Sequence, residues 1–269
     1  MIDLHCHMLP GIDDGARDID VSLRMAEMAV ADGITLTACT PHIYPGWFEN
    51  TAEGIRAAVA QFQEQLEAAG IPLKITAGAD IQVVPELVAG LRSGVLPTLH
   101  GSRYFLFEPP HHTSLPRLAD LAHAAVLNGY IPIITHPERL TYIEQDYEVL
   151  VQAARNGAWI QLTGGSLLGN FGPLAQKYSQ RFLEDGLVHL LASDGHNLDR
   201  RAPVLAQARD AAAAIVGIEE AQRLVQGRPE AVIADLEPDK EPMPHGLSSM
   251  AHPPKEGLPR SWLARLLGR

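Results

Sequence analysis

One repeated unit narrows the folds open to this chain: a short apolar run, a loop, a segment of helical period, and a glycine that stops it. Such segments end at Gly33, Gly70, Gly129, Gly157 and Gly186, and glycine readily adopts the left-handed backbone with which helices commonly close. The apolar runs cover 1–7, 34–40, 73–77, 104–107, 131–135, 159–162 and 188–192, giving seven expected strands. Helices are expected over 19–30, 51–69, 85–92, 115–128, 147–156, 174–184, 203–216 and 219–226, with an aromatic loop over 43–50. A strand-to-strand spacing of about 30–40 residues is that of parallel strands joined by helical crossovers. The strands are apolar almost throughout, as parallel strands covered on both faces must be. A closed or nearly closed parallel barrel accounts for this pattern better than an open sheet does.

The chain's 269 residues, 46% of them hydrophobic and 20% charged, suit one large globular domain. A formal net charge of −11 argues against nucleic acid or an anionic membrane as a general partner. It also requires that an anionic substrate be drawn in by a local positive site. Two cysteines, Cys6 and Cys39, are too few for a disulfide framework. The chain opens on a strand without a basic lead or apolar signal core, and no apolar run approaches a membrane span, so a cytoplasmic location is expected.

From about residue 237 the composition turns proline-rich and loses its period, so 1–236 is expected to form the domain and 237–269 a flexible tail. The tail ends in a short basic amphipathic segment, 260–269. That segment reads either as a frayed or folded-back end or as a docking peptide, and it is the one place where membrane contact is expected.

The loops that follow the strands carry the chemistry. His5 and His7 alternate along the first strand and so share a face, opposite Cys6. His42, Asp80, Glu108, His136, Asp194 and His196 stand at later strand exits, and Asp13 and Asp14 lie in the first loop. Five of the twelve histidines therefore sit where strands end. In a parallel barrel these exits converge on one face, where active sites of this architecture lie. The set offers up to nine nitrogen and oxygen ligands and no thiolate. That is too many for one ion and about right for two or three, of the kind Mn²⁺, Fe²⁺ or Zn²⁺. Ions held close together suit hydrolysis of a phosphate ester. Arg139 and Arg201 are placed to bind its phosphate, which meets the difficulty raised by the net charge.

Other residues in these loops read differently. Asp13 reads as a turn residue. His111 and His112 read as substrate contacts or as solvent-exposed, and Tyr44, Trp47 and Phe48 as flanking the substrate or capping the barrel. His100, His123, His189, His245 and His252 lack the placement. A cysteine phosphatase needs an arginine six residues after its nucleophile, and those positions hold Ile12 and Pro45.

Four stretches carry a family resemblance: the opening Met1-Ile-Asp-Leu-His-Cys-His-Met-Leu-Pro-Gly-Ile-Asp-Asp-Gly15, then Thr40-Pro-His42, Thr135-His-Pro-Glu-Arg139 and Ala192-Ser-Asp-Gly-His-Asn197. Over residues 1 to about 236 the chain resembles the PHP (polymerase and histidinol phosphatase) superfamily. Within it, the bacterial manganese-dependent protein-tyrosine phosphatases of the capsule and exopolysaccharide type are the most similar. The resemblance implies a distorted (β/α)₇ TIM-like barrel and a manganese centre. It implies metal ligands at His5, His7, Asp14, His42, Asp80, Glu108, His136, Asp194 and His196, with phosphate held by Arg139 and Arg201. It also implies a phosphotyrosine protein as substrate, the tail of a bacterial tyrosine kinase that governs polysaccharide export. A histidinol-phosphatase-like phosphomonoesterase on the same fold, and an inactive scaffold that holds a kinase tail, are the alternatives. One departure stands out: Gly78-Ala-Asp80 has aspartate where the family usually has glutamate, one methylene longer.

Overall fold

The computed structural model describes residues 1–84 and 86–248. Among the described residues there are ten strands: β1 (Ile2–Cys6), β2 (Leu36–Cys39), β3 (His42–Tyr44), β4 (Phe48–Glu49), β5 (Lys74–Ala77), β6 (Asp80–Gln82), β7 (Tyr104–Glu108), β8 (Ile131–Thr135), β9 (Trp159–Thr163) and β10 (Leu190–Ala192). They reduce to seven barrel strands because two are broken in the middle and β4 only pairs antiparallel with β3 at the end of the sheet. β2 and β3 are one strand interrupted at Thr40-Pro41, and β5 and β6 are one interrupted at Gly78-Ala79. The lower halves pair in the order β1-β2-β5, and the upper halves continue as β3-β6-β7-β8-β9-β10, every one of these pairings parallel. Between β10 and β1 the seam is sewn near the top, where Asp194 N–H donates to His5 O (2.8 Å) and His7 N–H to Gly195 O (2.8 Å), and by the Asp3 carboxylate, which accepts from Ser193 N–H (3.0 Å). The result is the nearly closed parallel barrel that the spacing predicts, in the distorted (β/α)₇ form that the resemblance implies.

The distortion has a cause in the sequence. Pro41 can donate no ladder hydrogen bond, so the second strand must step there. At the other break, a Cβ on Gly78 would lie 2.6 Å from Leu99 Cδ2 and 3.0 Å from Thr40 Cγ2. Glycine alone lets the two kinked strands and Leu99 close up. Below the kink β5 and β7 are not paired, and Leu99 fills toward the gap.

Leu4, Ala38, Leu106, Ile133, Trp159 and Leu190, from six strands, meet in one apolar cluster, which only a barrel interior allows. Their alternating neighbours, among them Phe105, Phe107, Ile134, Ile160 and Leu191, pack outward in the larger core. The helices fall close to their expected places, at Ile19–Ala31, Ala52–Ala68, Leu87–Ser93, Leu118–Leu127, Ile143–Arg155, Pro173–Glu184 and Ala206–Val216. Asp18 and Thr51 cap the first two by accepting from Val21 N–H and Gly54 N–H.

Two expectations need revision. Residues 43–50 are not simply a loop: β3 and β4 form an antiparallel hairpin there. Residues 237–248, read from composition as flexible tail, lie against the barrel, with Leu247 only 4% exposed. Buried Arg228 reaches out to Pro242 O (2.7 Å) and Gly246 N–H donates to Gly186 O. A proline-rich segment has no period to read, but a few backbone anchors can still hold it. The basic amphipathic end at 260–269 lies outside the described residues. Among the described residues no helix is long and apolar enough to cross a membrane.

Candidate metal centre

Eight of the nine expected ligands fall into overlapping groups of donors at the carboxyl ends of the strands. Asp194 joins them through His5, His7 and His196. All but one of the nine are buried or nearly so. The exception, Asp14, is half exposed. His5 Nε2 and His7 Nε2 stand 3.1 Å apart, and Asp194 Oδ1 is 3.5 Å from each. Asp80 Oδ2 lies 3.4 Å from His5 Nε2 and 3.7 Å from both His42 Nδ1 and His136 Nε2. Glu108 reaches His42 Nδ1 at 3.3 Å, and Asp14 Oδ1 reaches His196 Nε2 at 3.3 Å and His42 Nε2 at 3.5 Å. Asp80, shorter than the glutamate expected at its position, therefore still arrives among three histidines. The broken strand helps it, because Asp80 begins β6 directly after the Gly78-Ala79 step.

Local backbone aims these groups. The first loop doubles back so tightly that a Cβ on Gly15 would sit 2.1 Å from His7 O. Gly15 is thus obligatory for bringing the two aspartates over the barrel. They divide the work: Asp14 faces the cluster, while Asp13 Oδ2 accepts from His7 Nδ1 (2.7 Å) and from His42 N–H (3.1 Å). With Nδ1 holding the proton, Nε2 of His7 offers its lone pair inward. Gln161 does the same for His5, its Oε1 lying 2.8 Å from Nδ1. His136 and Asp194 both have left-handed backbones, with φ of 34° and 50°. Strain of this kind at non-glycine residues gathers at functional sites.

The charges do not balance within the protein. Burial alone would lower the pKa of His5, yet Asp80 and Asp194 raise it to about 9. His42 is raised to about 10 against its burial, chiefly by Glu108. His7 falls to about 3 through burial and the neighbouring His196, and His136 to about 4 through burial and Arg139. Some imidazoles are thus driven to carry protons for the carboxylates while others are forbidden them. A cation at the centre would relieve both groups. His42 Nδ1, Asp80 Oδ2, Asp194 Oδ1 and His196 Nε2 are buried without hydrogen-bond partners. Orphaned groups cost about 1–3 kcal/mol each, and four aimed at one place are what ligation by a cation would satisfy. The donor set is imidazole and carboxylate, as Mn²⁺, Fe²⁺ and Zn²⁺ accept. The residues fit a metal centre.

Beside the cluster stand the two arginines. Asp194 Oδ2 accepts from Arg139 Nη1 and from Arg201 Nη2, the latter at 2.7 Å, while its other oxygen faces the histidines. Against the upward push of burial, Arg201 and Arg139 hold the Asp194 carboxyl well below the usual range. The Arg139 guanidinium lies 4.3 Å above the Phe171 ring, and that of Arg201 5.9 Å from it. Glu138, buried beneath, accepts from Thr163 N–H and ties the Pro137–Arg139 turn to β9.

Sequence reasoning missed Gln161, the orienting role of Asp13, and Phe171. Gln161 had a readable signal, as a lone amide inside an apolar strand; Phe171 had none. Phe48 stacks on His42 (5.6 Å between centroids, 16° between planes), while Trp47 stays 77% exposed at the hairpin tip.

Fold and site together define a class, the parallel barrels whose carboxyl face carries a histidine–carboxylate metal cluster. The model for capsular polysaccharide synthesis, CpsB/CapC, matches residues 1–234, and the chain belongs to that family. It is 39% identical over 202 residues to the tyrosine-protein phosphatase YwqE of Bacillus subtilis, spanning 75% of this chain and 79% of that protein. It is 30% identical over 240 residues to the tyrosine-protein phosphatase CpsB of Streptococcus pneumoniae, spanning 87% and 99%. A solved structure from work on YwqE and CpsB, described as metal-dependent tyrosine phosphatases, superposes with a TM-score of 0.84 at 34% identity, covering 88% of this chain and 96% of the other. The lactonase Lmo2620 of Listeria monocytogenes, at a TM-score of 0.53 and 13% identity, shares the fold alone.

Proposed function

We propose that this chain is a metal-dependent protein-tyrosine phosphatase of capsule or exopolysaccharide production, acting on the phosphorylated tail of a bacterial tyrosine kinase. The observation that carries the reading is the double use of Asp194. One of its oxygens faces the imidazole cluster and the other holds two guanidiniums at its edge. A phosphate ester bound there meets a nucleophile site and an anion clamp side by side. The relatives named as tyrosine-protein phosphatases support the substrate class. Two free, buried thiols fit a cytoplasmic setting.

His5, His7, Asp14, His42, Asp80, Glu108, His136, Asp194 and His196 would hold two or three Mn²⁺ ions, with Fe²⁺ or Zn²⁺ as chemically acceptable substitutes. Bound divalent ions supply Lewis acidity, which makes water nucleophilic at neutral pH and neutralises phosphoryl charge. The chain's own groups do the rest. Gln161 and Asp13 fix the tautomers of His5 and His7. Arg139 and Arg201 take the non-bridging phosphoryl oxygens and orient phosphorus for in-line attack. The departing tyrosyl oxygen is a phenolate, a stable leaving group that needs little help from an acid.

Side-by-side turnover of a phosphotyrosine peptide, a phosphoserine peptide and histidinol phosphate by the Mn²⁺-loaded protein tests this reading. The phosphotyrosine peptide is expected to have the highest kcat/KM. Preference for histidinol phosphate would overturn the assignment, and phosphopeptide binding without turnover would mark a scaffold instead.

A further inference from the structure

We propose that His111, outside the nine-residue set, is a tenth metal ligand, completing with Glu108 and His136 a corner of the cluster on its substrate-facing side. The inference rests on reading the cluster as a metal centre and extends its membership. His111 Nε2 lies 3.4 Å from Glu108 Oε1, and His136 Nε2 lies 3.8 Å from the same oxygen. One donor atom from each of the three residues falls within 4.8 Å of the others. Donors about 2.1 Å from a shared ion stand roughly 3.0–3.4 Å apart at right or tetrahedral angles and about 4.2 Å apart when opposed. The observed separations need little more than side-chain adjustment to meet these values.

The backbone supports the assignment independently. Thr141 donates to His111 O twice, from its N–H (3.0 Å) and its hydroxyl (3.1 Å). Buried Tyr142 donates its hydroxyl to Pro110 O at 2.7 Å. Three hydrogen bonds thus tie the loop after β7 to the segment that follows Arg139. The side chain is still 28% exposed, so burial is not what this anchoring secures; it fixes the backbone from which the imidazole projects. The ring tilts toward His136, with centroids 5.0 Å apart. Its neighbour His112 has a similar imidazole but joins no group of candidate ligands among the described residues. His111 also borders a hollow of about 350 Å³ shared with Arg139, Leu140, Phe171 and Leu174. An ion held by His111 would therefore stand on the side from which a phosphate ester approaches the arginines.

The test is a calorimetric Mn²⁺ titration of the full, chelator-stripped chain, with free Mn²⁺ counted by electron paramagnetic resonance. Wild type is compared with His111→Ala, His111→Glu and His112→Ala, and near-ultraviolet circular dichroism checks that each metal-free variant keeps its fold. His111→Ala is expected to weaken one class of Mn²⁺ sites by about tenfold or more. His111→Glu, which returns an oxygen donor at similar reach, is expected to recover part of that loss, and His112→Ala to bind as wild type does. A merely packing or hydrogen-bonding histidine would not be rescued by glutamate. Binding by His111→Ala with wild-type stoichiometry and affinity would overturn the inference and leave the metal centre standing. Failure of wild type to bind Mn²⁺ would overturn both.

Discussion

Asp194→Asn is expected to fold and to lose nearly all activity. The carboxylate is buried, with one oxygen toward His5, His7 and His196 and the other accepting from Arg139 and Arg201. An amide of the same size cannot serve both sides. If its carbonyl faces the histidines, its NH₂ points at two guanidiniums; turned round, the NH₂ occupies a ligand position. Removing one partner of a buried charge network costs about 3–5 kcal/mol. Felt in the arrangement of the two arginines, that corresponds to roughly a 100- to 5,000-fold fall in kcat/KM. Loss of a metal donor adds to it. Mn²⁺-saturated turnover of a phosphotyrosine peptide, followed over several Mn²⁺ concentrations, measures both parts. A variant with more than a tenth of wild-type activity would show that the carboxylate does not join cluster and clamp.

Arg139→Lys is expected to lower kcat/KM by about 100-fold, the usual order for removing one preorganised donor to a developing charge. The substitution keeps the charge, so charge alone is not what is tested. Lysine offers one ammonium where arginine offers a planar fork. It also loses the flat face that lies 4.3 Å above Phe171 and the contact to Asp194 that fixes the guanidinium. No metal ligand is replaced, and Arg201 still donates to Asp194, so Mn²⁺ affinity should stay near wild type while kcat/KM and inhibition by inorganic phosphate both weaken. If phosphate inhibition were unchanged, Arg139 would not contact phosphate.

The site was legible because its ligands follow strand exits, and strand exits can be read. His136 ends the run Ile-Pro-Ile-Ile-Thr, and Asp194 and His196 follow Leu-Leu-Ala-Ser. Parallel topology brings such ends together whatever the intervening helices do. The breaks in two barrel strands were not legible. Thr40-Pro41 and Gly78-Ala79 look like loops in sequence, and their pairing depends on neighbours far along the chain. The β3–β4 hairpin escaped for a different reason: its strands are only three and two residues long. Phe171 and His111 are placed by tertiary contacts across 30 or more residues, the former beneath Arg139 and the latter by Thr141. No local pattern encodes such distances. Asp13 and Asp14 are adjacent and chemically identical, so only the folded loop tells orienter from ligand. At residues 237–248 composition pointed the wrong way, because Arg228 and Gly186 supply partners that a linear reading cannot see.

The central claim is that this cluster holds metal and that the metal is required to hydrolyse phosphotyrosine. Phosphate release from a phosphotyrosine peptide should be followed with one preparation before chelation, after exhaustive chelation, and after return of Mn²⁺, with metal content measured at each stage. Activity is expected to disappear with the metal and to come back with it in wild type, and to stay absent in His136→Ala. Undiminished turnover by protein shown to be free of metal would contradict the account.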